Sequence, residues 1–331
     1  MQATELQVAF FKHIKDQLAS HLSLVDEIAE LLNISNDSAY RRLRGEKTLG
    51  FDEIQLLADH YKISLDQFLR LQGNSFSFFG SLISREKFGI DNYIKGIAKQ
   101  LELWAGANEK ELFFFNKDIP TFHHFMFPEL AAFKCYFWSR YNLNCPEYNK
   151  GQFLISDFIE LFNSTGKKIS EYYLQIPSTE IWNLDCINTT IRQIDYYRES
   201  KVFQSHQDII TVFDCLNKLV DHIEQQAELG AKFPFGKPDH SRKVKYSVFI
   251  NQFILGDNTV FVKVDNQRIV SLNHNVINYS MTTDEQFVDY SWQTLAILLK
   301  KSTLISDVGE RDRQLFFDTL RQRIYEKRKL V

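Results

Sequence analysis

The stretch whose reading decides the fold is LVDEIAELLNISNDSAYRRLR, residues 24–44. Leu24, Ile28, Ala29 and Leu32 recur at helical spacing, with Ser23 placed as N-cap and Asp26 as its partner three positions on. Asn33 follows where a left-handed residue is wanted, a conformation asparagine tolerates better than most. Ile34 returns to the core and Ser35 caps a second helix. Winding that helix at about 100° per residue puts Ala39 and Leu43 on one inward face. The opposite face carries Asp37, Arg41 and Arg44, with Ser38 at its edge and Tyr40 and Arg42 on the flanks. Two short helices joined by a tight turn are expected. The outward face of the second is made of hydrogen-bonding and cationic groups.

The flanking segments complete a small domain over residues 1–72. A helix over 4–19 buries Leu6, Phe10, Ile14 and Leu18. Gly45 ends the helix that carries the arginines, and Lys47 lies in the following loop, placed for a phosphate. Phe51, Ile54, Leu57, Ala58 and Tyr61 form the stripe of a fourth helix. Ile63, Ser64, Gln67 and Phe68 have the spacing that opens a fifth.

Arginine pairs two-pronged with guanine, serine and tyrosine reach bases or phosphates, and an aspartate accepts from a cytosine amino group or caps its helix. The segments IAELLNIS, NDSAYRRLRGEKTL and FDEIQLLADHYKISLDQFL resemble the Cro/lambda-repressor (XRE) type of helix-turn-helix. SAYRRLRGEKTLGFDEI is similar to the BetR N-terminal variant of that family. The resemblance covers residues from about 5 to 70. It implies a five-helix lambda-repressor-like domain that reads double-stranded DNA, usually as a homodimer on a symmetric site. The residues expected at the DNA are Asn36, Asp37, Ser38, Tyr40, Arg41, Arg42, Arg44 and Lys47.

The formal net charge of the 331 residues is −3, so any pull toward nucleic acid is local. Residues 1–72 hold eight Lys/Arg against eleven Asp/Glu, a net of −3, whereas residues 40–47 alone net +3. A protein-interaction adaptor with a solvated charged helix is the competing reading of the same pattern.

Beyond residue 80 the pattern turns helical over 81–233, with helices expected at 91–107, 129–141, 153–176, 178–198 and 205–229. Residues 111–116 (ELFFFN) are a strand or a helix start, which period does not decide. With no repeat of fixed period, an irregular bundle or short solenoid of dimerisation and regulatory character is expected. Residues 243–331 read as an α+β sensory domain. Strands are expected at 245–255, 259–264, 267–272 and 276–282, then helices at 284–300 and 309–329. The expected fold class is thus mainly α with a C-terminal α+β part, a small antiparallel sheet plus helices. Its element order resembles GAF or PAS modules.

No apolar run approaches the roughly 20 residues a membrane span needs, and no secretory pattern opens the chain, so a cytoplasmic protein is expected. Cys135, Cys145, Cys186 and Cys215 form no paired motif and read as buried thiols. His123 and His124 point about 100° apart on a helix and rarely ligate one ion, so they read as a surface or partly buried pair. With no catalytic or nucleotide fingerprint, neither enzyme nor cofactor is expected. The expectation is a transcription regulator with a C-terminal region for dimerisation and a small-molecule or peptide effector. A peptide-sensing regulator is an alternative within that class, although the β-rich last third departs from its pattern.

Overall fold

A computed structural model describes residues 3–18, 22–61, 63–69, 76–80, 82–84, 86, 88–238, 244–253, 258–274 and 277–331, without the side chains of 3, 4, 16, 17, 66 and 67. The chain divides into two units, Met1–Ser77 and Phe78–Val331.

The first unit holds, among its described residues, five helices: α1 (Ala3–Gln17), α2 (Leu24–Leu31), α3 (Asn36–Leu43), α4 (Phe51–Tyr61) and α5 (Leu65–Leu69). Phe10, Phe11 and Ile14 of α1 pack on Ile28, Ala29, Ala39, Leu57 and Ile63. The turn between α2 and α3 follows the sequence signals. Asn33 adopts φ 51°, and the Ser35 hydroxyl accepts from the Ser38 amide. Gly45 closes α3 at φ 77°. Two local expectations are corrected. Ser23 occupies the N-cap of α2 without a side-chain bond, and Asp26 instead accepts from Asn36 Nδ2 at 2.9 Å, tying α2 to α3. Phe51 is 92 % exposed, because it stands at the very start of α4 and Leu49 fills that end of the core. The pairing expected of Ser64 with Gln67 lies outside the described side chains.

The second unit is built on a mixed sheet of eight strands among the described residues: β1 (Lys110–Phe115), β2 (Ser178–Trp182), β3 (Ala231–Lys232), β4 (Val244–Ile250), β5 (Thr259–Val264), β6 (Gln267–His274), β7 (Asn278–Thr282) and β8 (Thr303–Leu304). The order is β3-β4-β2-β1-β5-β6-β7, with β8 on β4. β2 runs parallel to both β1 and β4, and the other pairs are antiparallel.

This order corrects the expected division at 81–233 and 243–331. Both segments belong to one unit, because β1 and β2 supply the middle of the sheet and stand between β4 on one side and β5, β6 and β7 on the other. The expected small antiparallel sheet is therefore a larger mixed one. Parallel neighbours need long crossovers, and the helical stretches supply them. α7 (Thr121–His124), α8 (Pro128–Phe137), α9 (Ile159–Leu161) and α10 (Lys167–Tyr173) lie between β1 and β2, and α11 (Asn188–Glu199) and α12 (His206–Leu229) between β2 and β4; α6 (Ile90–Gly106) precedes β1, α13 (Glu285–Lys300) follows β7 and α14 (Glu310–Arg328) follows β8. Residues 178–182, expected to open a helix, are strand β2, buried at all five positions, and the helix begins at Asn188.

Strand alternation sends Leu112 and Phe114 into the large core and Phe113 and Phe115 to the other face. There α13 covers Ile181, Phe261 and Val270 with Val288 and Leu295. All four cysteines are buried and free. Among the described residues, no helix is long and apolar enough to cross a membrane.

Candidate functional site

The expected DNA-facing residues divide by exposure. Asn36, Asp37, Tyr40, Arg41, Arg44 and Lys47 are exposed and Ser38 is half-buried. Arg44 lies over the Tyr40 ring at 4.6 Å. Glu46 stands 3.7 Å from Arg44 and 4.0 Å from Arg41, with all three side chains at least half in solvent. Such exposed pairs are weak and exchange readily for another anion.

Arg42 is the exception, and its expected place at the DNA is corrected. It is 4 % exposed, and its Nη2 and Nε donate to Glu53 Oε1 at 2.6 and 3.1 Å. Nη1 donates to the Ser38 carbonyl at 3.2 Å. The long side chain turns back over the flank of α3 toward α4, where a planar guanidinium meets a carboxylate two-pronged. The Arg42 bond holds the Glu53 carboxyl below its ordinary range. Gln7 completes the brace. Its Nε2 donates to the Arg42 and Lys47 carbonyls at 2.6 and 2.8 Å, and its Oε1 accepts from the Leu49 amide at 2.9 Å. Gln7 and Glu53 thus fix the loop behind α3, and the exposed arginines project from a rigid base.

The second unit has a polar interior that sequence reading missed. Glu180, at the centre of β2, is fully buried. His123 Nε2 donates to both its oxygens at 3.0 Å, Trp182 Nε1 at 2.9 Å, Tyr246 at 3.0 Å and Ser178 at 3.2 Å, and Tyr173 also donates. Burial pushes this carboxyl up, but His123, Lys232 and Tyr173 outweigh burial and hold it at about 2. Lys232 Nζ lies 3.4 Å from the centre of the Tyr173 ring and donates to the Ile176 and Tyr173 carbonyls at 2.8 and 3.2 Å. Burial lowers this lysine to about 7, against the pull of Glu180. Glu180 lines neither chamber described next, and its bonds join β2 to α7, α10 and β4 across the core.

The described residues of this unit line, among others, two sizeable chambers. The first, about 610 Å³, is mainly apolar, with Tyr93, Ile97, Leu101 and Trp104 of α6 facing Phe114 and Val260 of the sheet. Gly96 of α6 opens onto it, and a Cβ added there would meet nothing within 4 Å. The second, about 480 Å³, shares Asn116, Thr121 and Tyr279 with the first but is lined by Lys134, His124, Asp118 and Arg192. Both fall within the roughly 300–1,000 Å³ typical of small-molecule sites.

His123 and His124 are both buried, which corrects the expected surface pair. They point apart, one to Glu180 and the other to the second chamber. Among the described residues, no group of His, Cys, Asp or Glu is arranged to hold a metal. Lys134 carried a legible signal. It sits in LAAFKCYFW, a run apolar on every side, and such a helix is buried all round. Glu180 carried none, since one carboxylate in STEIW looks like a solvated face.

Set against known protein families, curated proteins and solved structures, the chain finds no match.

Proposed function

We propose that the protein is a sequence-specific regulator of transcription that reads double-stranded DNA through α3, as the resemblance to the XRE type implies. The observation that carries this reading is the outward face of α3. Asp37, Tyr40, Arg41 and Arg44 are exposed together, while Ala39 and Arg42 anchor the helix from behind. Arg41 and Arg44 serve as the base- or phosphate-reading groups, with Ser38, Asn36 and Lys47 around them. Arg42 acts as a positioning residue through Glu53.

The acidic balance of the first unit makes a single copy a weak binder. The reading therefore includes a cytoplasmic homodimer that presents two α3 helices about one DNA turn, roughly 34 Å, apart. The second unit supplies the pairing surface and an effector chamber, and no catalytic step is part of the proposal. Gel-shift selection over genomic fragments tests it. The expected outcome is a site bound with a steep salt dependence, because phosphate contacts release counterions, and lost in Arg41→Ala. Failure to find any fragment whose binding Arg41→Ala abolishes overturns the reading. One observation favours the adaptor alternative: Glu46 stands beside both exposed arginines in a net-acidic unit. A salt-insensitive protein complex captured through the α3 face, without DNA binding, would establish it.

A further inference from the structure

We propose that the second chamber binds a free aromatic amino acid, held through its carboxylate, its ammonium and its ring. Three independent features of the chamber wall carry this.

The first is an excess of cations. Lys134, on α8, is 3 % exposed. Its Nζ donates to Gln193 Oε1 at 2.7 Å and to Thr190 Oγ1 at 3.1 Å. An ammonium has three donors, so one remains for the chamber. Among the described residues Lys134 has no carboxylate at ion-pair distance, and neither do Arg192 and Lys117, which open onto the same space from more exposed positions. Asp118, on the same wall, acts on Lys134 only from beyond ion-pair distance, and one carboxylate against Lys134, Arg192 and Lys117 leaves the wall with excess positive charge that a ligand carboxylate offsets.

The second feature is a set of buried acceptors. His124 is 2 % exposed, and its Nδ1 lies 3.2 Å from the Thr121 carbonyl, which makes Nδ1 the protonated nitrogen and Nε2 an acceptor. That Nε2, and the Oδ1 atoms of Asn116, Asp118 and Asn142, are buried without a hydrogen-bonding partner. All four residues line this chamber. Buried polar atoms are nearly always paired. Acceptors grouped in this way, one of them a carboxylate, call for a ligand rich in N–H donors, and an ammonium opposite Asp118 fits.

The third feature is a ring slot. After α8 the chain makes a π-helical turn over Trp138–Asn142, closed by the Leu143 amide on the Trp138 carbonyl at 3.0 Å. Turns of this kind concentrate at functional sites. This one brings Trp138, Tyr141 and Asn142 to the chamber, where Tyr141 meets Tyr196 edge-to-face at 5.6 Å. Both tyrosines are about half exposed, so the slot is reachable from solvent. An inorganic anion would use the cations and leave the acceptors and rings unmatched. A sugar would use the acceptors and leave the cations unmatched. A nucleoside monophosphate brings a ring and an anion but no ammonium for Asp118.

As an effector site this deepens the regulatory reading, but the binding itself concerns the second unit alone. Gel shifts measure DNA binding separately, so the failure of one claim is distinguishable from the failure of the other. The test is calorimetric titration of the full chain with L-tryptophan, L-tyrosine and L-phenylalanine. Saturable binding of at least one is expected, with Kd of roughly 10 μM to 1 mM. Tryptamine, which lacks the carboxylate, and indole-3-propionate, which lacks the ammonium, should each bind at least about tenfold more weakly than tryptophan. Lys134→Met should weaken tryptophan by a similar factor and leave tryptamine unchanged. Arg192→Gln, at an exposed position, repeats the test without touching the core. No saturable binding of any of the three amino acids overturns the proposal. Indole-3-propionate binding as tightly as tryptophan, or adenosine monophosphate binding more tightly, overturns it as well.

Discussion

In the unit spanning Met1–Ser77, Asp37, Arg41, Arg44 and Lys47 stand in solvent, while Arg42 is drawn inward and meets a carboxylate that is itself partly exposed. In the unit spanning Phe78–Val331, Glu180, Lys232, Lys134, His123, His124 and His222 are all buried. The first arrangement leaves charge free to meet an outside polyanion at little desolvation cost. The second encloses charge where each group must find specific partners, since an unpaired buried charge costs several kcal/mol. Exposed charge in this molecule is available for binding. Enclosed charge fixes one packing of the core or, around the second chamber, forms a pocket of defined polarity.

The sharpest way to break this contrast is Glu180→Ala. It strands five donors and Lys232, and should destabilise the second unit by about 3–5 kcal/mol. Trp104, Trp138, Trp182 and Trp292 all lie in that unit, so urea unfolding followed by tryptophan fluorescence reads it selectively. A loss below about 1 kcal/mol, the scale of an ordinary point mutation, would mean that the network is incidental.

The same interior sets a pH dependence. The Glu180 carboxyl is held at about 2 from an ordinary 4.5, so its stabilisation is complete above 4.5 and lost as pH falls toward 2. Burial lowers His222 to about 4 from 6.5, and the unfolded chain takes up that proton first as pH falls below 6.5. Burial also lowers Lys232 to about 7 and Lys134 to about 8 from 10.5. Between those values and 10.5 the unfolded state binds more protons, so stability rises with pH there too. Fluorescence-detected urea midpoints for the second unit should therefore climb from pH 4 to pH 9. A midpoint that falls between pH 7 and 9 contradicts the enclosed lysines.

In the first unit, Arg42 and Arg41 should separate. Arg42→Ala removes a two-pronged partly buried pair and should cost about 2–3 kcal/mol of stability, read by hydrogen exchange of α3 and α4. Arg42→Lys should restore little, since an ammonium cannot form the fork. Arg41→Ala should change stability by less than about 0.5 kcal/mol yet cost about 1–3 kcal/mol of DNA affinity. Equal effects of the two substitutions on stability would erase the distinction between anchor and reading group.

The smallest effect is expected at Gly96. It lies inside α6, and an added Cβ meets nothing within 4 Å. Gly96→Ala should raise the stability of the second unit by about 0.5–1 kcal/mol through helix propensity and a less flexible unfolded chain. A loss of stability would show that the wall of the apolar chamber is already tight.

Local signals in the sequence carried the first unit far. Asn33 and Gly45 mark left-handed positions, Ser35 caps α3, and Ala39 belongs to the core. The strands β5, β6 and β7 and the helices α6, α12, α13 and α14 were legible from period and turn chemistry. What failed were the pieces decided by distant partners. A helical wheel of α3 places Arg42 on a flank and contains no trace of Glu53, the partner that draws it inward. Pro177 and Ser178 carry the local signal of a helix start, while a central parallel strand such as residues 178–182 has no alternation to show.

The sequence by itself determined the helices of the first unit, which face of α3 carries charge, and which residues are apolar enough to bury. These are short-range matters of propensity, capping and period, settled within a few residues. Only the tertiary structure decided that β1 and β2 join the strands beyond residue 243 in one sheet, that Glu180 is enclosed by His123, Tyr173, Trp182 and Tyr246, and that Lys134 faces a chamber without a paired carboxylate. A buried charge is tolerated only where groups from several elements converge on it, and that convergence is a property of the folded chain.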